Sequence, residues 1–77
     1  MVKDINKSNL LIFGENFKDL RIKSDLSYRK LSQLCDVDYS DISKIEKGQV
    51  NITLLTIIEL AKGLGVHPKQ LLEGNLE

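Results

Sequence analysis

The sequence predicts an all-α protein of five short helices, and three observations carry that prediction. Apolar residues recur at three- and four-residue spacing along most of the chain, the period of one helical face. Ser27, Asp38 and Thr53 each stand where an N-cap precedes such a run. Gly48, Gly65 and Pro68 fall where helices end or begin.

Helix 1 is expected to begin near Ser8 or Asn9 and to run to Lys23, with Leu10, Phe13, Phe17 and Leu20 on its core face. Ser27 caps helix 2, over 28–35, whose Leu31, Leu34 and Cys35 face inward. Asp36 occupies the following turn in a left-handed backbone, which Asp tolerates better than most residues. Val37 fills the angle between the two helices, Asp38 caps helix 3 over 39–47, and Gly48 ends it. Thr53 caps helix 4, over 54–63, which carries Leu54, Ile57, Ile58, Leu60 and Ala61 and is loosened at its end by Gly63 and Gly65. Pro68 suits the first turn of helix 5, over 68–73, because an N–H there would be unpaired anyway. The organisation read from this pattern is a tail at 1–7, one domain at 8–73 and a tail at 74–77.

Composition narrows the function classes. A chain of 77 residues makes one domain, burying roughly 60% of its unfolded surface. The single cysteine, Cys35, excludes an internal disulfide and suits a reducing cytoplasm; its inward position reads as a small core thiol rather than a redox sensor. No apolar run approaches the ~20 residues that span a membrane, and MVKDINKSN does not read as a signal peptide. No zinc spacing, nucleophile elbow or phosphate-cradling glycine loop is present. His67 stands alone before Pro68 and reads as a helix-start residue. An enzyme is therefore not expected, nor a cofactor or a metal.

The informative stretch is LSYRKLSQLCDVDYSDISKIEKG, residues 26–48. It reads as two short amphipathic helices joined by a tight turn. Ile42 and Ile45 share one face of the second helix, while Ser40, Ser43, Lys44 and Lys47 fall at i, i+3, i+4 and i+7 on the other. A stripe of hydrogen-bonding groups and long cations suits a nucleic-acid groove. Net charge argues the other way: eleven acids balance eleven bases, and Asp36, Asp38, Asp41 and Glu46 lie within the stretch itself. Binding should therefore depend on specific contacts and on a dimer.

Residues 13–72 resemble the Cro and phage-repressor DNA-binding domain, the xenobiotic-response-element (XRE) family. FGENFKDLR at 13–21, LS at 26–27, Leu31, Val37, ISKIEKG at 42–48, Asn51 with Thr53, LAKGLGV at 60–66 and QLL at 70–72 carry the likeness, which spans all five helices. The resemblance implies a lambda-repressor-like fold with a helix-turn-helix at helices 2 and 3. It also implies that Arg21 and Glu46 pair with each other, tying helix 1 to the end of helix 3.

Site residues follow from the stripe and the resemblance together. Tyr39, Ser40 and Lys44 are expected to read base edges, Lys44 having the reach and charge for guanine O6 and N7. Tyr28, Ser43, Lys47 and Gln49 are assigned to phosphate. Tyr28 stands where the family often carries a Gln that contacts the DNA backbone; its phenol either donates to a phosphate or packs along the helix. Cro-like domains resemble symmetric dimers that meet through helices 4 and 5, which makes Leu55, Leu64, Val66 and Leu72 candidates for a two-fold interface. The expected function is a cytoplasmic, sequence-specific transcriptional regulator that binds double-stranded DNA as a homodimer on a (pseudo)palindromic operator. Its size and NITLLTI at 51–57 resemble the controllers of restriction–modification operons. Two other readings fit the same architecture: an antitoxin that also binds a toxin, and a protein-interaction module that has lost DNA binding.

Overall fold

The computed structural model describes residues 4–74 and 76, with side chains from residue 7 onward; the rest of the two expected tails lies outside the described residues. Five helices follow in order: α1 (Asp4–Lys23), α2 (Tyr28–Leu34), α3 (Tyr39–Glu46), α4 (Leu54–Leu64) and α5 (Pro68–Leu71). No strand occurs among the described residues.

α1 starts four residues earlier than the expected Ser8. Ser and Asn lower helix propensity only slightly, so a helix can run through them. Its other end is a Schellman turn: Leu26 N–H donates to Arg21 C=O at 3.2 Å and Asp25 N–H to Ile22 C=O at 2.9 Å. Asp25 carries the left-handed φ, 57°, that this turn requires. Ser27 and Thr53 cap α2 and α4, accepting from Lys30 N–H at 3.0 Å and Thr56 N–H at 3.2 Å. His67 caps α5: its Nδ1 accepts from Lys69 N–H at 3.1 Å, and Gln70 Oε1 accepts from the His67 N–H at 3.2 Å.

The core is Phe13 and Phe17 of α1, Leu31 of α2, Ile42 and Ile45 of α3, Leu60, Ala61 and Leu64 of α4, and Leu71 of α5. α3 packs between α1 and α2, and α4 packs on α2 and α5. Asn16 ties α1 to the end of α5 by donating to the carbonyls of Gln70 and Leu71 at 2.8 and 2.9 Å. α4 runs through Gly63, which is buried inside it, and ends at Leu64. α5 is a single turn, two residues shorter than expected.

Two expected positions differ around α2. Leu34 is 48% exposed rather than inward. It lies 60° behind Leu31 on the helix while Cys35 lies 40° ahead, and the core sits on the Cys35 side. Asp36 is not left-handed; Asp25 is the one non-glycine with positive φ among the described residues. Cys35 is extended instead, at φ −151° and ψ 170°.

Candidate nucleic-acid interface

α3 begins at Asp38, whose extended backbone and carbonyl, bonded to Ile42 N–H at 3.0 Å, place it as N-cap; its side chain makes no capping bond. Ile42, Ile45 and Glu46 are buried, so the helix is seated along that edge. The opposite edge is open: Tyr39, Ser40, Asp41, Lys44 and Lys47 are exposed, and Ser43 is half-buried. Ser40, Lys44 and Lys47 share this outward face, while Ser43 sits at its edge beside the Tyr28 hydroxyl. Lys47 lies just past the last helical residue, in the turn.

That turn is a second Schellman closure. Gly48 N–H donates to Ile45 C=O at 3.1 Å and Gln49 N–H to Lys44 C=O at 3.0 Å, with Gly48 at φ 69°. The closure sets the exposed Gln49 directly beyond Lys47. The electrostatics are polar along α3. An open, acidic groove at its N-terminal end is lined by Asp36, Asp38 and Asp41 with Asn51, Thr53 and Thr56. Lys44 and Lys47 stand at the other end, so phosphate is favoured there and disfavoured at the start.

A buried polar cluster fixes the C-terminal end of α3. Arg21 Nε donates to Glu46 Oε2 at 2.5 Å, Arg21 Nη2 to Glu46 Oε1 at 3.3 Å and Arg21 Nη1 to the Leu26 carbonyl at 2.6 Å. The guanidinium lies 4.5 Å from the centre of the Tyr28 ring. The Tyr28 hydroxyl donates to Glu46 Oε1 at 3.1 Å. The phenol that was expected at a phosphate is thus spent inward, because a buried carboxylate still had an acceptor lone pair to fill. Burial pushes the Tyr28 phenol above its ordinary range, and the bond to Glu46 pushes it further.

Two residues not singled out from sequence hold α3 from outside. A Cβ on Gly14 of α1 would lie 2.5 Å from the Glu46 carbonyl oxygen and 2.7 Å from that of Ile45, both backbone atoms. The signal was available, since a glycine inside a helix costs about 1 kcal/mol and often marks a close approach. Glu59 of α4 accepts from the Asp36 N–H at 2.9 Å. No local pattern announces that contact, which spans 23 residues. Cys35 is half-buried; its thiol donates to the Leu31 carbonyl at 3.4 Å and is pushed up mainly by burial.

The apolar candidates divide. Leu64 is 7% exposed and belongs to the core, so it is not available to a second molecule; the inward side of α4 claims it together with Leu60 and Ala61. Val66 is half-buried against the same core. Leu55 and Leu72 are exposed, at 74% and 47%, and α4 adds Leu54 and Ile58. Among the described residues no helix is long and apolar enough to cross a membrane.

Two short helices at a tight turn, with the second seated on its apolar edge and polar on its open one, define a helix-turn-helix protein. The chain belongs to the helix-turn-helix family, whose model matches residues 17–71, and is a DNA-binding transcriptional regulator of the Cro and phage-repressor type. It is 42% identical over 72 residues to the control protein C.BamHI of Bacillus amyloliquefaciens, a match covering 87% of this chain and 89% of that one. The restriction-modification controller protein C.AhdI from Aeromonas hydrophila superposes with a TM-score of 0.80 at 34% identity, over 83% of this chain and 97% of that one. A hypothetical transcription factor, NHTF from Neisseria, superposes with a TM-score of 0.81 at 27% identity, over 97% and 85% of the two chains.

Proposed function

We propose that this protein is the control protein of a restriction–modification system, binding a (pseudo)palindromic operator as a symmetric dimer with α3 in the major groove. The observation that carries this reading is the near-full-length likeness to a control protein, joined to an α3 whose open face carries Tyr39, Ser40, Asp41, Lys44 and, just beyond it, Lys47. Tyr39, Ser40 and Lys44 read base edges in this reading, and Ser43, Lys47 and Gln49 hold phosphates. Tyr28 acts through Glu46 rather than on DNA. Leu55 and Leu72, with Leu54 and Ile58, form the two-fold contact, which sets the two α3 helices about 34 Å apart, one turn of duplex. Acids at the start of α3 suppress non-specific attraction, so affinity comes from base contacts and from pairing two weak half-sites.

Selection from a random duplex library with the purified protein tests the reading. The expected product is a two-fold-symmetric site. Folded protein that enriches no sequence would overturn it in favour of an interaction module.

A further inference from the structure

The turn between α2 and α3 closes without a left-handed residue. Residues 35–38 contain no glycine, Cys35 is extended and Asp36 has a negative φ. The Asp36 N–H goes instead to Glu59 Oε1, on α4, at 2.9 Å. An ionised acceptor makes this bond stronger than a neutral one. Glu59 is half-buried, and its other oxygen lies 4.0 Å from Lys62 Nζ one turn further on. The turn of the DNA-reading motif is therefore held by a side chain from outside that motif.

We propose that Glu59 is a positioning residue for DNA recognition: by binding the Asp36 N–H it fixes the angle at which α3 leaves α2. This rests on the reading of α3 as the element that enters the groove. The two ends of α3 are held by different devices. Its C-terminal end is fixed by Arg21 and Gly14 of α1, whereas Asp36 lies three residues before its first turn. Loss of the Glu59 contact frees the end that carries Tyr39 and Ser40 and leaves the Lys47 end seated. Base reading then suffers more than phosphate binding. Glu59 also follows Leu55 by four residues, so the helix with the exposed apolar side also steadies the turn.

The test compares wild type, Glu59→Ala and Glu59→Gln on the duplex enriched by the wild-type protein and on versions with single base-pair changes in one half-site. Sedimentation and thermal melting are measured on the same samples. Glu59→Ala should bind the operator about tenfold more weakly, and its preference over the altered sites should fall, with sedimentation unchanged. Glu59→Gln keeps an amide oxygen to accept the bond and should restore the preference. The Asp36 amide should be protected from hydrogen exchange in wild type and Glu59→Gln, and unprotected in Glu59→Ala. A lower melting temperature with wild-type preference would overturn the proposal, as would equal losses in the two variants. If Glu59→Ala does not fold, Glu59→Asp, too short to reach, takes its place with the same expected loss. If the wild type enriches no duplex, the reading of α3 fails, and a freely exchanging Asp36 amide in the wild type would sink the Glu59 contact separately.

Discussion

The Tyr28 hydroxyl donates to Glu46 Oε1 at 3.1 Å, and the same carboxylate accepts from Arg21 Nε and Nη2. Three helices thus meet at one buried acid. Tyr28→Phe removes a hydrogen bond to a charged acceptor and keeps the ring over Arg21, so it should cost about 1–2 kcal/mol of stability. Operator preference should stay as in the wild type. A Tyr28→Phe protein of unchanged stability but weakened binding would return the phenol to phosphate. Glu46→Ala also strands the Arg21 guanidinium and should cost more, about 2–4 kcal/mol, measured by urea unfolding.

The same cluster makes a pH prediction. The folded state raises the Tyr28 phenol above its ordinary value of 10.0, mainly by burial and then through Glu46. It therefore holds the phenolic proton more tightly than the unfolded chain does. This stabilisation is complete below pH about 10 and is lost as pH rises past it. The advantage of wild type over Tyr28→Phe should shrink across that range in unfolding experiments; a constant advantage would contradict it.

Gly14→Ala separates propensity from packing. On an exposed helix this change would stabilise by about 0.5–1 kcal/mol. Here the new Cβ meets the Glu46 carbonyl oxygen at 2.5 Å, and a backbone atom cannot rotate away. The expected result is a loss of about 1–3 kcal/mol in urea unfolding. A gain in stability would mean that α1 and α3 are not so closely seated.

How far the sequence carries can be judged from particular residues. Leu31, Ile42, Ile45 and Leu60 are core residues as their spacing implies, because a helical period reports directly which side faces inward. Ser27 and Thr53 cap their helices because capping is decided within four residues. Leu34 and Leu64 exchanged their expected environments because periodicity gives a face and not which neighbour covers it. The turn at Asp36 departs from the left-handed expectation for a related reason. A left-handed residue is a local solution, and the structure uses a distant one, Glu59. Tyr28 reads as a phosphate contact from its place in the motif, and only the fold shows an acceptor, Glu46, within its reach.

Exposure divides the four apolar interface candidates into two experiments. Leu55→Glu places a charge on a side chain that the fold leaves 74% exposed, so the folded chain should tolerate it. Sedimentation equilibrium should show the dimer displaced toward monomer, and operator binding should fall with it. Leu64→Ala removes a core side chain and should instead cost about 2–4 kcal/mol of stability. If Leu55→Glu sediments as wild type does, the two-fold contact lies on another surface.

The division of labour along α3 yields the sharpest contrast. Lys44 stands mid-stripe, and Lys47 stands in the closing turn, two residues before Gln49. A base-reading contact discriminates by about 1–3 kcal/mol at its own position and hardly at others. Lys44→Ala should therefore relax preference at one or two positions in each half-site. A phosphate contact carries no sequence information, but it releases a counterion. Lys47→Ala should weaken all duplexes alike and reduce the dependence of log affinity on log salt by about one unit for each lysine lost. Both lysines are exposed, so neither change should disturb the fold, and differences in binding report on contacts alone. Binding titrations at three salt concentrations, on operator and altered half-sites, separate the two roles. Identical behaviour of the two variants would mean that α3 does not lie in the groove along the axis argued from its polar face.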